Sequence, residues 1–591
     1  MRIASDGEHA AELLASLPAG ERAALVDPRF VGHQHSLRLV LADPRFPASA
    51  VSGAVVADPS RRSALLGALR GTLRPEAAPS APRAPDRASA GPPRDGAPRH
   101  SAPHPDAAAA AMEVAGVPVH RPDLGVLVAR VPADGTQRDE ALRAVAAVDE
   151  EAVRLRTAVK PRDGFFTTHC VSPYSRHLAR WCARRGLTPN QVTTASLLTA
   201  LIAAGCAATG TRGGFVAAGA LLLASFVLDC ADGQLARYAL KYSTLGAWLD
   251  ATFDRAKEYA YYAGLALGAA RGGDDVWALA LGAMVLQTVR HMVDFAFNES
   301  HRPALAANAS SRAATSLSGR LDSVAWTVWA RRMVVLPIGE RWALIAVLTA
   351  FTTPRTTFVV LLAGCALAAC YTTAGRLLRS ARGAAAEPAA GRSLAELADS
   401  GPLAAGAARL LPGGAAPAAA AAGAALVLAT AAWAPAGSWW PVLAATGYAL
   451  LSGWAVAGHL TGPFDWLVPP ILRTAEYSAV LILAARAEMN GVLPAAFGLV
   501  AAVAYHHYDT VYRIRGGTGA PPRSLVFAIG GHEGRVLVVT VLAAAWLGAA
   551  SLTIALAALA GLLACAVLVE SIRFWVSSQA PAVHDETGEP A

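Results

Sequence analysis

The chain has 591 residues, of which 54% are hydrophobic and 16% are charged, and its mean hydropathy is +0.37. Soluble domains carry about 25% charged residues, so this composition excludes a disordered scaffold, a coiled coil and an ordinary cytosolic enzyme, while seven unpatterned cysteines exclude a disulfide scaffold. A net charge of +8 on so apolar a chain indicates an anionic lipid surface or an anionic substrate as the partner, rather than nucleic acid.

The N-terminal part of the chain lacks long apolar runs, and we expect a small cytoplasmic region that is α/β or partly disordered. Residues 1–73 are of mixed polarity. Residues 74–111 are so rich in Pro, Ala and Arg that they are predicted to be a disordered linker. Residues 112–160 regain a pattern, with one or two strands over 117–131 and an amphipathic helix over 139–157.

A basic segment at 174–185 precedes the first long apolar run. Arginines recur there every four residues, and apolar side chains occupy another face: Arg176, Arg180 and Arg184 against Leu178, Trp181 and Cys182. A helix that lies on the membrane surface has this pattern, and so does an ordinary soluble amphipathic helix. We favour the membrane surface, because the first apolar run follows at once.

From residue 190 the apolar runs reach the length of about 20 residues that crosses a bilayer. Within a first membrane domain, 161–380, spans are predicted near 191–211, 214–237, 245–270, 275–298, 340–353 and 356–378. A linker is predicted at 381–412. In a second membrane domain, 413–591, further runs lie near 414–434, 438–458, 474–488, 491–508, 525–547 and 549–572. The predicted fold class is therefore an all-α integral membrane protein, with a six-helix core and a second helical domain.

Lysine and arginine are unequally distributed over the loops of the six-helix core. The loops on the side of the basic segment carry Arg237, Lys241, Arg302, Arg312, Arg320, Arg331, Arg332, Arg376, Arg379 and Arg382. The opposite loops carry Arg212, Arg271 and Arg355. Because the cytoplasmic loops of membrane proteins are the basic ones, we expect a multi-pass protein of the inner (plasma) membrane with both ends of this core in the cytoplasm.

Four aspartates stand at the ends of the second and third predicted spans, where ionisable residues mark functional sites. Asp229 and Asp232 are three residues apart, and Asp250 and Asp254 are four residues apart on the face that also carries Gly246. Because a short loop joins the two spans, we expect the four carboxylates to converge close to the cytoplasm.

Four like charges at close range need compensation, and carboxylates without Cys or His favour Mg²⁺ or Mn²⁺, here two ions. A two-metal carboxylate site suits phosphoryl transfer, because it stabilises both the attacking and the leaving oxygens. A structural ion-pair cluster is the alternative. It would need several cations on the same face to match the four aspartates, and the one arginine between them, Arg237, does not meet that need.

The segment as a whole resembles the signature of the CDP-alcohol phosphotransferases, D-x2-D-G-x2-A-R-x8-G-x3-D-x3-D. Its eight fixed positions are all filled, by Asp229, Asp232, Gly233, Ala236, Arg237, Gly246, Asp250 and Asp254. The segment Leu187–Thr193 is similar to the family's lead-in to its first span. The resemblance covers about 160–380 and implies a surface helix, six spans and dimerisation through the spans.

The resemblance also implies an activity and roles for these residues. The enzyme would transfer a substituted phosphate from a CDP-alcohol to an acceptor hydroxyl and release CMP. By carry-over, the four aspartates hold the metal ions, and Asp254 is also the general base on the acceptor hydroxyl. The cytidine diphosphate would be bound by Asp229, Asp232, Gly233, Ala236, Arg237 and Gly246.

Two further segments bear on the acceptor. Residues 160–166 and 337–341 are similar to the branch that makes di-myo-inositol-phosphate phosphate from CDP-inositol and inositol phosphate. We therefore expect inositol phosphate as the acceptor, with glycerol phosphate as the alternative, and Arg290, Arg331 and Arg341 as candidate contacts for its phosphate. Enzymes of that branch often carry an upstream nucleotidyltransferase domain, but no Gly-rich nucleotide loop occurs here before residue 160.

The second membrane domain has two polar islands, at 505–513 and 530–535. They contain the possible metal ligands His506, His507, Asp509, His532 and Glu533. A metal site is one interpretation of these islands, and a polar cluster rich in aromatic residues at the membrane interface is the other. For the whole chain, a transporter or a non-catalytic scaffold is the alternative to the enzyme, although a transporter should show internal repeats and the two membrane domains show no convincing one.

Overall fold

The computed structural model describes residues 3–18, 20–73, 104–160, 163–302, 335–382 and 386–577. The chain forms two compact units. The first consists of Met1–Val159, Ala179–Gly186 and Gln234–Tyr242. The second consists of Lys160–Leu178, Leu187–Gly233 and Ser243–Ala591.

The first unit is built on short antiparallel strands. They are β1 (Ala23–Val26), β2 (Val31–Gly32), β3 (Ala48–Val51), β4 (Ala54–Ala57) and β5 (Ala129–Arg130). One sheet has the order β1-β4-β3 and pairs both Ala23 and Ala48 with Ala57, whereas β2 pairs with β5. Gly53, with φ +79°, makes the tight turn between β3 and β4.

Six helices lie entirely within this unit: α1 (Gly7–Ala15), α2 (Gln34–Leu41), α3 (Arg62–Leu73), α4 (Pro105–Val114), α5 (Gly135–Ala146) and α6 (Glu150–Thr157). Leu14, Leu65 and Met112, from three of them, pack with β-strand residues in one hydrophobic core. The unit is therefore the small α/β region expected at the N-terminus.

Two details of this region differ from the expectation. The helix predicted over 139–157 is divided into α5 and α6, because the Asp149 side chain accepts a hydrogen bond from the backbone N–H of Ala152 and starts a new helix. The last residues of the predicted linker 74–111 belong to α4. Its residues 74–103 lie outside the described part of the chain.

The second unit is helical. A short π-helical turn, Thr167–Val171, leads into α7 (Ser172–Arg184), where the basic surface helix was predicted. The core helices are α8 (Pro189–Ala208), α9 (Arg212–Ala239), α10 (Thr244–Arg271), α11 (Trp277–Ser300), α12 (Ile338–Phe351) and α13 (Pro354–Ser380). Each of these six helices overlaps one of the six predicted spans.

The C-terminal helices begin within the predicted linker. They are α14 (Pro388–Leu397), α15 (Pro402–Leu410), α16 (Ala416–Trp433), α17 (Trp440–Val456), α18 (Val468–Arg486), α19 (Val492–Arg515), α20 (Arg523–Ala528), α21 (Gly531–Trp546) and α22 (Ala550–Ser577). A 3₁₀ turn, Asp465–Leu467, precedes α18. Within the described residues, seven helices are long and apolar enough to cross a membrane, and the prediction of an all-α, multi-pass membrane protein is confirmed.

The region predicted as a linker, 381–412, is ordered into α14 and α15. Its small residues predicted a linker, but Leu394 and Leu397 are buried in a hydrophobic core with Val468 and Leu472. Glu533 accepts hydrogen bonds from the backbone N–H groups of Gly401 and Ala404, at 3.1 and 3.0 Å, and so caps α15.

Local sequence signals fix the ends of the helices that frame the aspartates. Thr188 and Gln191 form a reciprocal capping box at the start of α8, with Pro189 in the first turn. Ser243 caps α10 by accepting a hydrogen bond from the Gly246 N–H. Leu240, with φ +54°, follows the end of α9, so the chain reverses through four residues before α10 begins.

Candidate active site

Three of the four predicted aspartates converge in the second unit. One carboxylate oxygen from each of Asp229, Asp250 and Asp254 lies within 4.8 Å of the other two. Asp229 is near the end of α9, and the other two lie one turn apart on α10. The side chains of Asp229 and Asp254 are 15% and 17% exposed, so the cluster is shielded but reachable.

Asp232 is one turn beyond Asp229 on α9 and lies outside this group of three. Its side chain is buried, and its Oδ2 has no hydrogen-bond partner among the described residues. A buried carboxylate oxygen without a donor is costly. A bound cation would supply the missing partner.

Lys257 belongs to this site, although the signature assigns it no role. Its ammonium group pairs with Asp229, lies 2.8 Å from Asp254 Oδ1, and donates to Ser196 Oγ at 3.1 Å. The side chain is fully buried. The signal was present in the sequence, because Lys257 stands three residues after Asp254 and therefore one turn along the same face of α10.

The donor set fits a divalent cation. Three carboxylates against one ammonium leave a net negative charge in a shielded site, and hard oxygen ligands favour Mg²⁺, Mn²⁺ or Ca²⁺ over softer metals. Lys257 pairs with two of the three aspartates, so the structural ion-pair alternative accounts for part of the charge. The cluster can therefore hold a metal ion.

The small residues of the signature surround the aspartates in the sequence, and one has a clear steric reason. A Cβ atom on Gly246 would lie 2.7 Å from the Asn190 side-chain oxygen, so any larger residue displaces that amide. Gly233 and Ala236 continue α9 beyond Asp232. Arg237, in the last turn of α9, donates from Nε to the backbone carbonyl of Ala158.

The predicted acceptor residues have partners within the protein. Arg341, buried near the start of α12, donates to Glu258 Oε2 at 3.2 Å and to Gln287 Oε1 at 3.3 Å. Arg290, on α11, donates to the backbone carbonyl of Val335. Arg331 lies outside the described residues. Glu258 is one turn after Asp254, so Arg341 contacts the same helix as the aspartates.

The polar islands of the second membrane domain are buried. His506 Nε2 lies 3.0 Å from Asp399 Oδ1, and His532 Nδ1 lies 2.7 Å from the Tyr448 hydroxyl. Glu533 caps α15, as described above. In the part of the chain that the structure describes, the aspartate triad is the one group of three metal-ligating atoms within 4.8 Å. The islands therefore do not form such a group there.

Comparison with known proteins agrees with this site. Residues 186–370 match the CDP-alcohol phosphatidyltransferase family, and residues 388–591 match a family of unknown function (DUF5941). A phosphatidylinositol phosphate synthase from Streptomyces avermitilis is 36% identical over 131 residues, which is 21% of this chain and 51% of that protein.

Two further relatives match this chain over fewer residues. A bifunctional IPC transferase and DIPP synthase from Thermococcus kodakarensis is 35% identical over 113 residues, 19% of this chain and 25% of that protein. An archaetidylinositol phosphate synthase from Pyrococcus horikoshii is 30% identical over 119 residues, 20% of this chain and 62% of that protein. The chain thus covers between a quarter and three fifths of these relatives. The match to the CDP-alcohol phosphatidyltransferase family, over residues 186–370, thus includes the helices that carry the aspartate cluster.

Proposed function

We propose that this protein is a membrane-embedded transferase that moves a substituted phosphate from a CDP-alcohol to an acceptor hydroxyl and releases CMP. The observation that carries this proposal is the convergence of Asp229, Asp250 and Asp254 from two consecutive helices, with the signature spacing. The product belongs to phospholipid or inositol-phosphodiester biosynthesis.

In this reaction the acceptor oxygen attacks the phosphorus that carries the alcohol. The new bond joins that oxygen to phosphorus, and the bond that breaks releases CMP with its electron pair. Asp254 would accept the proton of the acceptor hydroxyl, as the resemblance implies, and its side chain is 17% exposed and therefore reachable. Holding donor and acceptor in line supplies much of the rate.

The four aspartates, Asp229, Asp232, Asp250 and Asp254, would hold the divalent ions, which we propose are two Mg²⁺ or Mn²⁺. When bound, the ions withdraw charge from the diphosphate and make CMP a better leaving group. Lys257 keeps the carboxylates together by pairing with Asp229 and Asp254. Gly233, Ala236, Arg237 and Gly246, the other residues of the signature, would bind the cytidine diphosphate.

For the acceptor we propose inositol phosphate, with glycerol phosphate as the alternative. The relatives named as phosphatidylinositol phosphate, archaetidylinositol phosphate and DIPP synthases support an inositol phosphate. Among the described residues, Arg341 and Arg290 are the candidates to bind its phosphate. The guanidinium group of each could leave its present hydrogen-bond acceptor and donate to the phosphate instead. Arg331 is proposed from the sequence alone. We further propose a plasma-membrane location, a site that faces the cytoplasm, and a homodimer.

The test is a donor and acceptor panel with the full chain purified in detergent. CMP release is measured with several CDP-alcohols, with Mg²⁺ or Mn²⁺, and with inositol phosphate, glycerol phosphate or inositol. We expect release with one donor and an inositol phosphate acceptor. A folded wild-type protein that releases no CMP from any donor would refute the transferase.

Asp254→Asn tests the base. We expect it to lower CMP release about 10²- to 10⁴-fold, the usual contribution of a positioned general base. Asp274→Asn is the matched control, because this exposed aspartate pairs with Arg355 away from the cluster. Release by Asp254→Asn close to that of Asp274→Asn contradicts the assignment of Asp254.

A further inference from the structure

The C-terminal domain contacts the helix that carries Asp250 and Asp254. On α10, Trp248 and Arg255 are seven residues apart, which is about two turns, so they share one face. Asp250 and Asp254 point to a different side, toward Asp229. The Trp248 ring stacks on Trp575 of α22, with 6.1 Å between ring centroids and 19° between planes.

A second contact lies about two turns further along α10, at the residue that follows Asp254. The Arg255 guanidinium sits over the Tyr508 ring of α19, 5.2 Å from its centroid. The same ring lies 4.7 Å from the His291 ring of α11. Tyr508 is buried, and its hydroxyl has no hydrogen-bond partner among the described residues. The ring face, rather than the hydroxyl, is therefore what Arg255 uses.

Polar and charged side chains of the C-terminal domain hold Trp575 in place. Trp575 Nε1 and Ser571 Oγ each donate to Asp509 Oδ1 at 2.7 Å. Arg513 lies 2.8 Å from Asp509 Oδ2 and makes a bidentate pair with Glu570, at 3.0 and 2.6 Å. A buried network with these partners fixes the Trp575 ring in one orientation.

Arg255 also connects to residues of the six-helix core. Arg255 donates to Glu258 Oε2 at 3.0 Å, and Arg341 of α12 donates to the same oxygen. Tyr262 donates to the other oxygen of Glu258 at 2.7 Å. The stretch of α10 that bears Asp254 is thus bound on one side by core residues and on the other by the C-terminal domain.

We propose that the C-terminal domain, whose family has no assigned role, positions the metal-binding face of α10, and that Tyr508 and Trp575 are its positioning residues. This inference rests on the proposed function. The physical reason is that Asp250 and Asp254 lie on one helix, so a small rotation of α10 about its axis moves both carboxylates together. A displacement of about 1 Å at a catalytic group can cost about 10²-fold in rate.

The test uses the full chain and four variants. Trp575→Ala and Tyr508→Ala remove the two contacts, Tyr508→Phe keeps the ring, and Trp466→Ala is the matched control. Trp466 is equally buried in the C-terminal domain, but it packs on Phe297 of α11 and donates to Ser380. Two quantities are measured, namely Mn²⁺ affinity by titration of the substrate-free protein, and kcat and KM for CMP release.

We expect Trp575→Ala and Tyr508→Ala to weaken Mn²⁺ binding and to lower kcat at least about tenfold, with KM for the donor changed less. Tyr508→Phe should behave like the wild type, and Trp466→Ala should keep its Mn²⁺ affinity. Wild-type Mn²⁺ affinity and kcat in Tyr508→Ala and Trp575→Ala overturn the proposal. Equal losses of Mn²⁺ affinity and kcat in Trp466→Ala also overturn it, because they show that truncating any buried tryptophan of this domain loosens the whole fold.

The Mn²⁺ titration separates this proposal from the proposed function. If the wild type binds Mn²⁺ but releases no CMP from any donor, the transferase is refuted. The affinities of the Tyr508 and Trp575 variants still decide whether the C-terminal domain positions the aspartates. If Trp575→Ala does not fold, the comparison of Tyr508→Ala with Tyr508→Phe gives the answer.

Discussion

At the scale of single residues, Lys257 changes how the aspartate cluster is understood. A fully buried ammonium between Asp229 and Asp254 offsets part of the repulsion that four carboxylates would otherwise produce. It also occupies space among the metal ligands. The protein can therefore fold around this cluster before any metal binds, and the metal adds to an arrangement that already exists.

Lys257→Met should separate these two effects. Removing one partner from a buried ion pair costs about 3 kcal/mol, so the metal-free variant should unfold about 5 °C below the wild type. Adding Mn²⁺ should raise its unfolding temperature more than that of the wild type, because the uncompensated carboxylates bind the ion more tightly. Lys241→Met, at an exposed lysine, is the control. Equal Mn²⁺-induced shifts in Lys257→Met and the wild type contradict this role.

The spacing of the aspartates was sufficient to predict their convergence, because helical periodicity and a short loop leave few arrangements. Lys257 was assigned no role although it obeys the same periodicity, since a lysine three residues from an aspartate is usually a surface pair. Only the burial of the side chain distinguishes it, and burial comes from α8 and α9, which the local sequence does not specify.

At the scale of helices and strands, apolar run length predicted the membrane helices and failed for short elements. Among the described core helices, α8, α9 and α13 are long and apolar enough to cross a membrane, a signal that few other structures share, whereas α12 has 14 residues. By contrast, β4 has Ala and Val buried at all four positions, so no alternation marks it. Helices α14 and α15 are rich in Ala and Gly, and only burial against distant residues reveals them.

A closed ring of four charged side chains in the C-terminal domain is another feature that the local sequence does not predict. Asp399 and Glu476 each pair with both Arg473 and Arg535, at distances of 2.7, 2.9, 2.8 and 2.5 Å. All four side chains are buried. Asp399 lies in the region predicted as a linker and has φ +55°, in the left-handed region that Asp adopts more often than most non-glycine residues. No sequence motif links the four positions.

Glu476→Gln should strongly destabilise the second unit. It leaves two buried guanidinium groups with one carboxylate, and breaking a buried pair costs about 3–5 kcal/mol. Asp274→Asn breaks the exposed pair with Arg355 and should cost about 0–1 kcal/mol. Unfolding of both variants in detergent, followed by circular dichroism, measures the difference. Similar stabilities for the two variants would show that the ring contributes little.

At the scale of the whole molecule, the family matches and the compact units divide the chain differently. The regions 186–370 and 388–591 match two families, yet most of the first region and all of the second belong to the same unit. One hydrophobic core includes Tyr262 and Phe358 from the first region and Phe497 and Leu556 from the second. Two sequence families therefore share one folded body, whereas the α/β region has its own core.

That separate core makes a pH prediction specific to the first unit. Burial, and then the charges of Arg154 and Arg38, lower the pKa of His35 from 6.5 to about 4. Below pH 6.5 the His35 side chain is therefore protonated in the unfolded chain, whereas it stays neutral in the folded unit until the pH nears 4. The stability that neutral His35 contributes is complete above pH 6.5 and is lost as the pH falls toward 4. The loss at pH 5 should be about 1–2 kcal/mol.

Hydrogen exchange of the full chain, followed by mass spectrometry, measures this loss at the sheet. After correction for the intrinsic exchange rate, peptides that contain β4 should be less protected at pH 5 than at pH 7. His35→Gln should make that protection nearly independent of pH, because the shifted group is gone, whereas His9→Gln should leave the dependence unchanged. A pH dependence that survives in His35→Gln assigns the effect to other groups. It would then show that the buried histidine is not the acid-sensitive element of the α/β unit.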